Sequence, residues 1–364
     1  MDRPVLQAVT TSDTRPVRAG EELDWSRLEA WLRDRLGSDI PQPALRQPME
    51  VAQFPGGHSN LTYQVRFGDS ELVVRRPPFG PVPPTAHDMA REYRWLSAVH
   101  PVFPLAPRVY ALCDDPSIIG SVFYVMERRH GIVVRDEEPL SIRSQPDVRR
   151  GVSLALIDAL ADLHAIDIAV AGLAHLGKPQ GFVERQVRGW TDRWTRSKTS
   201  EMPAMDALAR WLIESLPGSP PRPTIVHGDF KLDNLMFDAA DPHRLVAVFD
   251  WEMAALGDPL VDLGILLAYW SANAASRDDA LTTVTTLPGW LTSRELVDRY
   301  AERSGRDLTT LKFFEVFALF KVAVVIQQIY YRFVNGQTSD PRFANFGDRV
   351  TYLADHAVRL LSKC

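Results

Sequence analysis

The chain has 364 residues, 45% hydrophobic and 24% charged, with a formal net charge of −5. These values are ordinary for a globular protein, and a chain this long can bury a core without disulfides. The mild acidity argues against general nucleic-acid binding, which needs a basic face to neutralise phosphates.

Only two cysteines are present, Cys113 and Cys364, and they fit no C-x-x-C pattern; a reducing cytoplasm is the expected setting. The opening MDRPVLQAVTTSDTRP lacks the apolar stretch of a signal peptide. No run of about 18 uncharged apolar residues occurs, so no membrane-spanning helix is expected. The nearest candidate, FALFKVAVVIQQIYY, is broken by Lys321, Gln327 and Gln328 and reads as a buried helix.

In chain order, residues 1–22 read as a loose arm rich in Thr, Arg and Asp. Ser26 and Glu29 form an S-x-x-E capping pattern ahead of Leu28, Trp31, Leu32 and Leu36 at helical spacing, with Gly37 as the stop. Strands are expected at 49–54, 61–67 and 71–75, with the turn Pro55-Gly56-Gly57-His58-Ser59-Asn60 between the first two. A helix follows at about 87–99, then strands at 107–113 and 121–127. Beyond that the pattern is mostly helical, with helices at 147–166, 181–197 and 204–216. Short strand-like runs, Thr224–His227 and Leu245–Phe249, precede helices at about 259–272, 293–304, 308–335 and 342–362. A β-rich part followed by a helical part is an α+β pattern. The expected organisation is an arm at 1–22, an N-terminal lobe at 23–127 and a C-terminal lobe at 128–364.

The strongest local signal is His227-Gly228-Asp229-Phe230-Lys231-Leu232-Asp233-Asn234, with Asp250 in Val248-Phe249-Asp250-Trp251-Glu252 sixteen residues after Asn234. Phosphoryl transfer needs such a set. One carboxylate must orient an acceptor hydroxyl and take its proton, and Asp229 suits that role. Hard oxygen ligands must hold Mg²⁺ against the phosphates, and Asn234 and Asp250 suit that one. The Lys231 ammonium could offset charge on the transferring group.

The order D-x-x-x-x-N followed by a strand-end Asp is that of the protein-kinase catalytic and metal loops. The form HGDFKLDN…VFDWEMAALGDPLVDLG resembles the aminoglycoside-phosphotransferase family, from about Val51 to the C-terminal helices. The runs ELVVRRPPFG, REYRWL, YVMERRHG and LADLHAID most resemble the kinase-like domains associated with acyl-CoA dehydrogenases. The resemblance implies a protein-kinase-like bilobal fold, with an N-terminal antiparallel five-stranded sheet plus a helix and a larger, mostly helical C-terminal lobe. It implies ATP or GTP and Mg²⁺ as cofactors, and a small-molecule hydroxyl acceptor, such as a hydroxyacyl-CoA or an amino alcohol. Neither nucleic acid nor membrane is an expected partner.

By the same resemblance, Gly56, Gly57, His58, Ser59 and Asn60 approach the phosphates. Arg75 holds them while paired with Glu92, and the backbone at Met126, Glu127 and Arg128 holds the purine. The loop departs from G-x-G-x-x-G, and Arg75 stands where most kinases have lysine. Arg75 is preferred over Arg76 because strand alternation places it with Val73.

His227, His164, Asp258 and Asp262 read as structural, Asp258 as a helix cap before Pro259 and Asp262 in the helix's first turn. Arg128, Arg129 and His130 read equally as solvated charge or as facing an anionic substrate. Trp270, Tyr330 and Tyr331 read as core or pocket wall. A protein Ser/Thr kinase is disfavoured, since no long activation segment fits between Asp250 and Pro259. A catalytically silent nucleotide-binding module is the rival from another class, and it would be expected to lack Asp229, Asn234 or Asp250.

Overall fold

Helix α1 (Trp25–Arg35) carries Leu28 and Leu32 on one stripe, both wholly buried. Its cap is Asp24, whose carboxylate accepts from Arg27 N at 3.0 Å. The expected Ser26–Glu29 capping box does not form. An aspartate two residues upstream satisfies the first-turn N–H, and Glu29 pairs with Arg33 one turn further on. The structure, a computed structural model, describes residues 13–55, 60–80, 87–270 and 281–362. It divides into two compact units, Met1–Arg129 and His130–Cys364.

After the short α2 (Gln42–Leu45), the first unit runs β1 (Met49–Gln53), β2 (Leu61–Phe67), β3 (Ser70–Arg76), α3 (Met89–Val99), β4 (Val109–Cys113) and β5 (Phe123–Glu127). The strands form one antiparallel sheet in the order β1-β2-β3-β5-β4. Register places Tyr63 beside Val74 and Val74 beside Val125, so these residues share one face. That face joins Leu28, Leu32 and Leu36 in a single apolar cluster, where each large side chain contributes roughly 1.5–3 kcal/mol. Cys113 is buried in the same cluster, and burial pushes its thiol up.

Residues 13–22 are pinned rather than loose. Arg15 and Gln53 exchange both backbone hydrogen bonds at 2.8 Å, and Tyr63 Oη donates to Glu21 O at 2.7 Å. The reason is long-range: the arm supplies a short pairing partner to the edge strand β1, which local composition does not reveal.

The second unit runs β6 (Ile132–Val133), α4 (Pro146–Ala165), α5 (Phe182–Ser197), α6 (Pro203–Glu214), β7 (Thr224–Val226), β8 (Leu235–Phe237), β9 (Leu245–Val248), β10 (Ala255–Gly257), α7 (Leu260–Tyr269), α8 (Ser293–Ser304), α9 (Leu311–Val334) and α10 (Phe346–Ser362). Two small sheets, β6-β8-β9 and β10-β7, hold the loops between them. The strands β6, β8 and β10 have two or three residues each, too few to show a period in sequence.

Helix α9 is the axis of this unit and packs against α5, α6, α7 and α10. By length and composition it could cross a bilayer, but 72% of its most apolar window is buried within the protein. Helix α7 starts at Leu260 with Pro259 in the cap position, one residue later than expected, and Asp258 accepts from Leu260 N at 2.9 Å.

Candidate active site

The loop after β7 begins at His227. Its ring is fixed at both nitrogens: Nε2–H donates to Phe249 O at 2.9 Å, and Nδ1 accepts from Asp229 N at 3.2 Å. The ring also meets Trp251 edge-on at 4.8 Å. With both ring nitrogens engaged, His227 ties the Asp229 loop to the end of β9.

Gly228 follows with φ +83, where an L side chain is strained. A Cβ there would lie 2.8 Å from Met253 O. The sharp turn presents Asp229 at the loop's edge. Asp229 Oδ2 lies 3.1 Å from Lys231 Nζ and 2.9 Å from Asn234 Nδ2. Asn234 Nδ2 also donates to Asp229 O at 2.8 Å, which leaves the carboxamide oxygen as the Asn234 atom suited to a cation. Phe249 N donates to Asn234 O at 2.8 Å, so the residue before Asp250 is hydrogen-bonded to Asn234.

Asp250 itself has φ +68, a left-handed conformation uncommon outside glycine, tolerated by aspartate better than by most residues, and concentrated at functional sites. Asn234 and Asp250 are hard oxygen donors of the kind Mg²⁺ prefers. They are too few for a self-contained site, as expected of a metal shared with phosphates. Among the described residues, no group of three His, Cys, Asp or Glu side chains forms a metal site of its own.

Lys231 spans the space between Asp229 and Tyr269, its Nζ 4.7 Å from the Tyr269 ring centre. Burial pulls its ammonium down, but Tyr269 and then Asp229 outweigh this and hold it above its ordinary value. Burial in turn pushes the Tyr269 phenol up to about 12. Asp233 is raised by burial, against the pull of Lys231 and Arg135.

A second layer braces the loop from behind. Asp262 Oδ2 accepts from His227 N at 2.6 Å and Oδ1 from Gly228 N at 2.7 Å. Its carboxylate also meets His164 Nε2 at 3.2 Å, and His164 Nδ1 lies 2.8 Å from Tyr300 Oη. Burial pushes the Asp262 carboxyl up, yet His164, His227 and the Gly228 N–H together hold it below the usual range. Burial pushes His164 down, so it stays neutral and donates from Nε2. Asp262 therefore serves as a long-range brace, a larger role than the first-turn helix position expected for it.

In the first unit, Arg75 Nε lies 3.2 Å from Glu92 Oε2, with the Glu92 side chain 2% exposed. Arg76 points to the other face, where it donates to Ile119 O at 3.0 Å. Asn60 is buried, while Gly56, Gly57, His58 and Ser59 lie outside the described residues. Met126 is buried in β5. Glu127 N donates to Arg108 O at 2.9 Å, so that N–H is already taken and is not one to meet a purine. Arg128 pairs with Asp13 at 2.5 Å and lies over the Phe54 ring; Arg129 pairs with Glu127 at 2.6 Å. Both guanidiniums thus have a carboxylate partner inside their own unit.

Sequence reasoning missed Tyr269, Tyr300 and Lys321. The last donates to Gly228 O at 2.6 Å from the middle of α9. Its one signal was a lysine inside an otherwise apolar helix.

The profile of the phosphotransferase enzyme family (APH) matches residues 50–314. A candidate aminoglycoside phosphotransferase from Ralstonia eutropha, solved as a crystal structure, is 31% identical with a TM-score of 0.78, covering 94% of this chain and 99% of its own. Aminoglycoside phosphotransferase APH(4)-Ia, solved with AMP-PNP and hygromycin B, shares the fold at 15% identity and a TM-score of 0.59, covering 93% of this chain and 99% of its own. "Acyl-CoA dehydrogenase family member 10" of Mus musculus is 35% identical over 95% of this chain and 32% of its own length. The chain spans about a third to just under half of the curated relatives it matches. With the family profile covering most of the chain and a kinase-like fold around the Asp229 loop, this chain belongs to the phosphotransferase enzyme family typified by the aminoglycoside phosphotransferases.

Proposed function

We propose that this chain is a small-molecule kinase that moves the γ-phosphate of ATP to a hydroxyl group. The observation that carries the reading is the Asp229 loop, where one carboxylate is held by Lys231 and Asn234 beside the strained Asp250. Asp229 orients the acceptor hydroxyl and takes its proton as the new O–P bond forms and the bond from the γ-phosphorus to the β-phosphate bridging oxygen breaks, releasing ADP. Lys231 stays protonated and offsets negative charge near the reacting group. Asn234 and Asp250 would hold Mg²⁺, which neutralises phosphate charge when bound. Arg75, fixed by Glu92, supplies a planar donor fork for phosphate oxygens.

For the acceptor we propose a hydroxyacyl thioester such as a hydroxyacyl-CoA. Support comes from the similarity, over nearly the whole chain, to part of proteins named acyl-CoA dehydrogenase family members 10 and 11. An ADP-release screen across hydroxyacyl-CoA thioesters, amino alcohols and aminoglycosides tests both levels. Turnover with the thioesters alone supports the acceptor class; turnover with another class moves it. No turnover with any acceptor, despite nucleotide binding, would favour a silent module. Asp229→Asn should lower kcat by about 10²–10⁴-fold, the usual worth of a positioned base, while sparing nucleotide affinity. Near-normal turnover in that variant would remove Asp229 from the role.

A further inference from the structure

Helix α9 presents Phe317, Ala318, Phe320, Val322, Ala323 and Val324 to the core, and in their midst a lysine. Lys321 is 7% exposed. An ammonium in such surroundings is costly unless something specific satisfies it. Among the described residues its one hydrogen bond runs from Nζ to Gly228 O at 2.6 Å, and the Trp190 ring of α5 lies 5.4 Å away. It makes no ion pair with a carboxylate among the described residues. A packing role would be filled better by leucine or methionine, so the polar end is kept for what it touches.

What it touches is the peptide joining Gly228 to Asp229. The N–H of that peptide donates to His227 Nδ1, and the N–H groups of His227 and Gly228 donate to Asp262. The loop's N–H groups are thus held from one side, and Lys321 holds the carbonyl of the hinge glycine. Gly228, with φ +83, has no side chain to resist rotation of this peptide.

We propose that Lys321 is a positioning residue for the transfer reaction: its ammonium fixes the Gly228–Asp229 peptide through the Gly228 carbonyl and so sets where Asp229 presents its carboxylate to the acceptor hydroxyl. This rests on the reading of Asp229 as the base. Four charged groups act on the ammonium. Asp229 and Asp262 favour it, Lys231 and Arg193 oppose it, and burial, the largest influence, brings it down to about 8.

The test is steady-state ADP release by the full chain with saturating nucleotide and acceptor, beside nucleotide affinity and Tm, for Lys321→Met and Asp229→Asn. Lys321→Met should keep its fold and its nucleotide affinity and lose kcat roughly ten- to a hundredfold, the scale of a misplaced reacting group. Wild-type kcat should also fall as pH rises through about 8, where the ammonium discharges, and Lys321→Met should lack that limb. A Lys321→Met kcat within about twofold of wild type overturns the proposal, as does a parallel loss of kcat, nucleotide affinity and Tm. If Lys321→Met does not fold, a wild-type kcat that stays flat between about pH 7 and 9.5 overturns it. Full activity in Lys321→Met with loss in Asp229→Asn sinks this proposal alone; full activity in both sinks the base assignment beneath it.

Discussion

Arg75 and Glu92 show how a single substitution type is decided by its surroundings. Glu92 sits on the inner side of α3 and is almost wholly buried, with the Arg75 guanidinium 3.2 Å from its carboxylate. Removing one partner of a buried pair leaves an uncompensated charge, at about 3–5 kcal/mol. Arg75→Met is therefore expected to destabilise the protein by that order, read as a fall in Tm, and to raise the KM for ATP. Arg75→Lys keeps the charge but loses the fork, so it should largely retain stability while still weakening nucleotide binding. Equal stability of Arg75→Met and wild type would mean that the Arg75–Glu92 pair contributes nothing to the fold.

The residues legible in advance were those whose partners lie close in sequence. Asp229, Lys231 and Asn234 fall within six positions, and strand alternation was enough to choose Arg75 over Arg76. The residues that brace them were not legible. Asp262, Tyr300 and Lys321 come from α7, α8 and α9, and nothing in their local windows says that Asp262 and Lys321 reach the loop backbone or that Tyr300 reaches the His164 ring. The same holds for the α1 cap: Ser26 and Glu29 had the right spacing, but Asp24 had the better position.

At the level of elements, the second unit is a set of helices that hold one turn. The turn is the Gly228 loop, entered from β7 and left through the short helical turn before β8. Long helices were easy to foresee because period and length signal them together. The two-residue β6 and three-residue β10 were not, since they exist only through their pairing with β8 and β7. The loop's geometry depends on close approach to the turn before β10. Gly228→Ala would place a methyl 2.8 Å from Met253 O and force an L residue to φ +83. The left-handed backbone alone costs about 1–2 kcal/mol, and the clash adds to it. The expected outcome is a lower Tm together with a marked fall in kcat. Retention of full kcat would show that Asp229 does not depend on this turn.

For the whole molecule, the order of elements, a β-rich unit and then a helical one, was legible because it spans hundreds of residues and tolerates local error. The acid response of the whole fold was not, because it depends on which carboxyls are buried and with what. Two kinds oppose each other. Asp262 is held below its ordinary value of 3.8 by His164 and the loop N–H groups once burial has been outweighed. It contributes stability above the unfolded value, and this is lost as pH falls through its depressed one. Asp233, Asp258 and Glu315 are raised by burial. Between their unfolded and raised folded values the folded state binds more protons, so these three favour folding as pH falls. Buried His164, held below its ordinary 6.5, opposes them as pH falls through that value, because the unfolded chain binds that proton first, so single variants are needed to separate the contributions. Asp258→Asn isolates the second kind, because it removes a carboxyl raised by burial while leaving a side-chain oxygen for Leu260 N. Relative to that variant, wild type should lose stability as pH rises from about 4 through the raised Asp258 value, and the two should converge in acid. Parallel Tm curves across that range would mean that the Asp258 carboxyl titrates alike in the folded and unfolded chain, and that burial does not govern it.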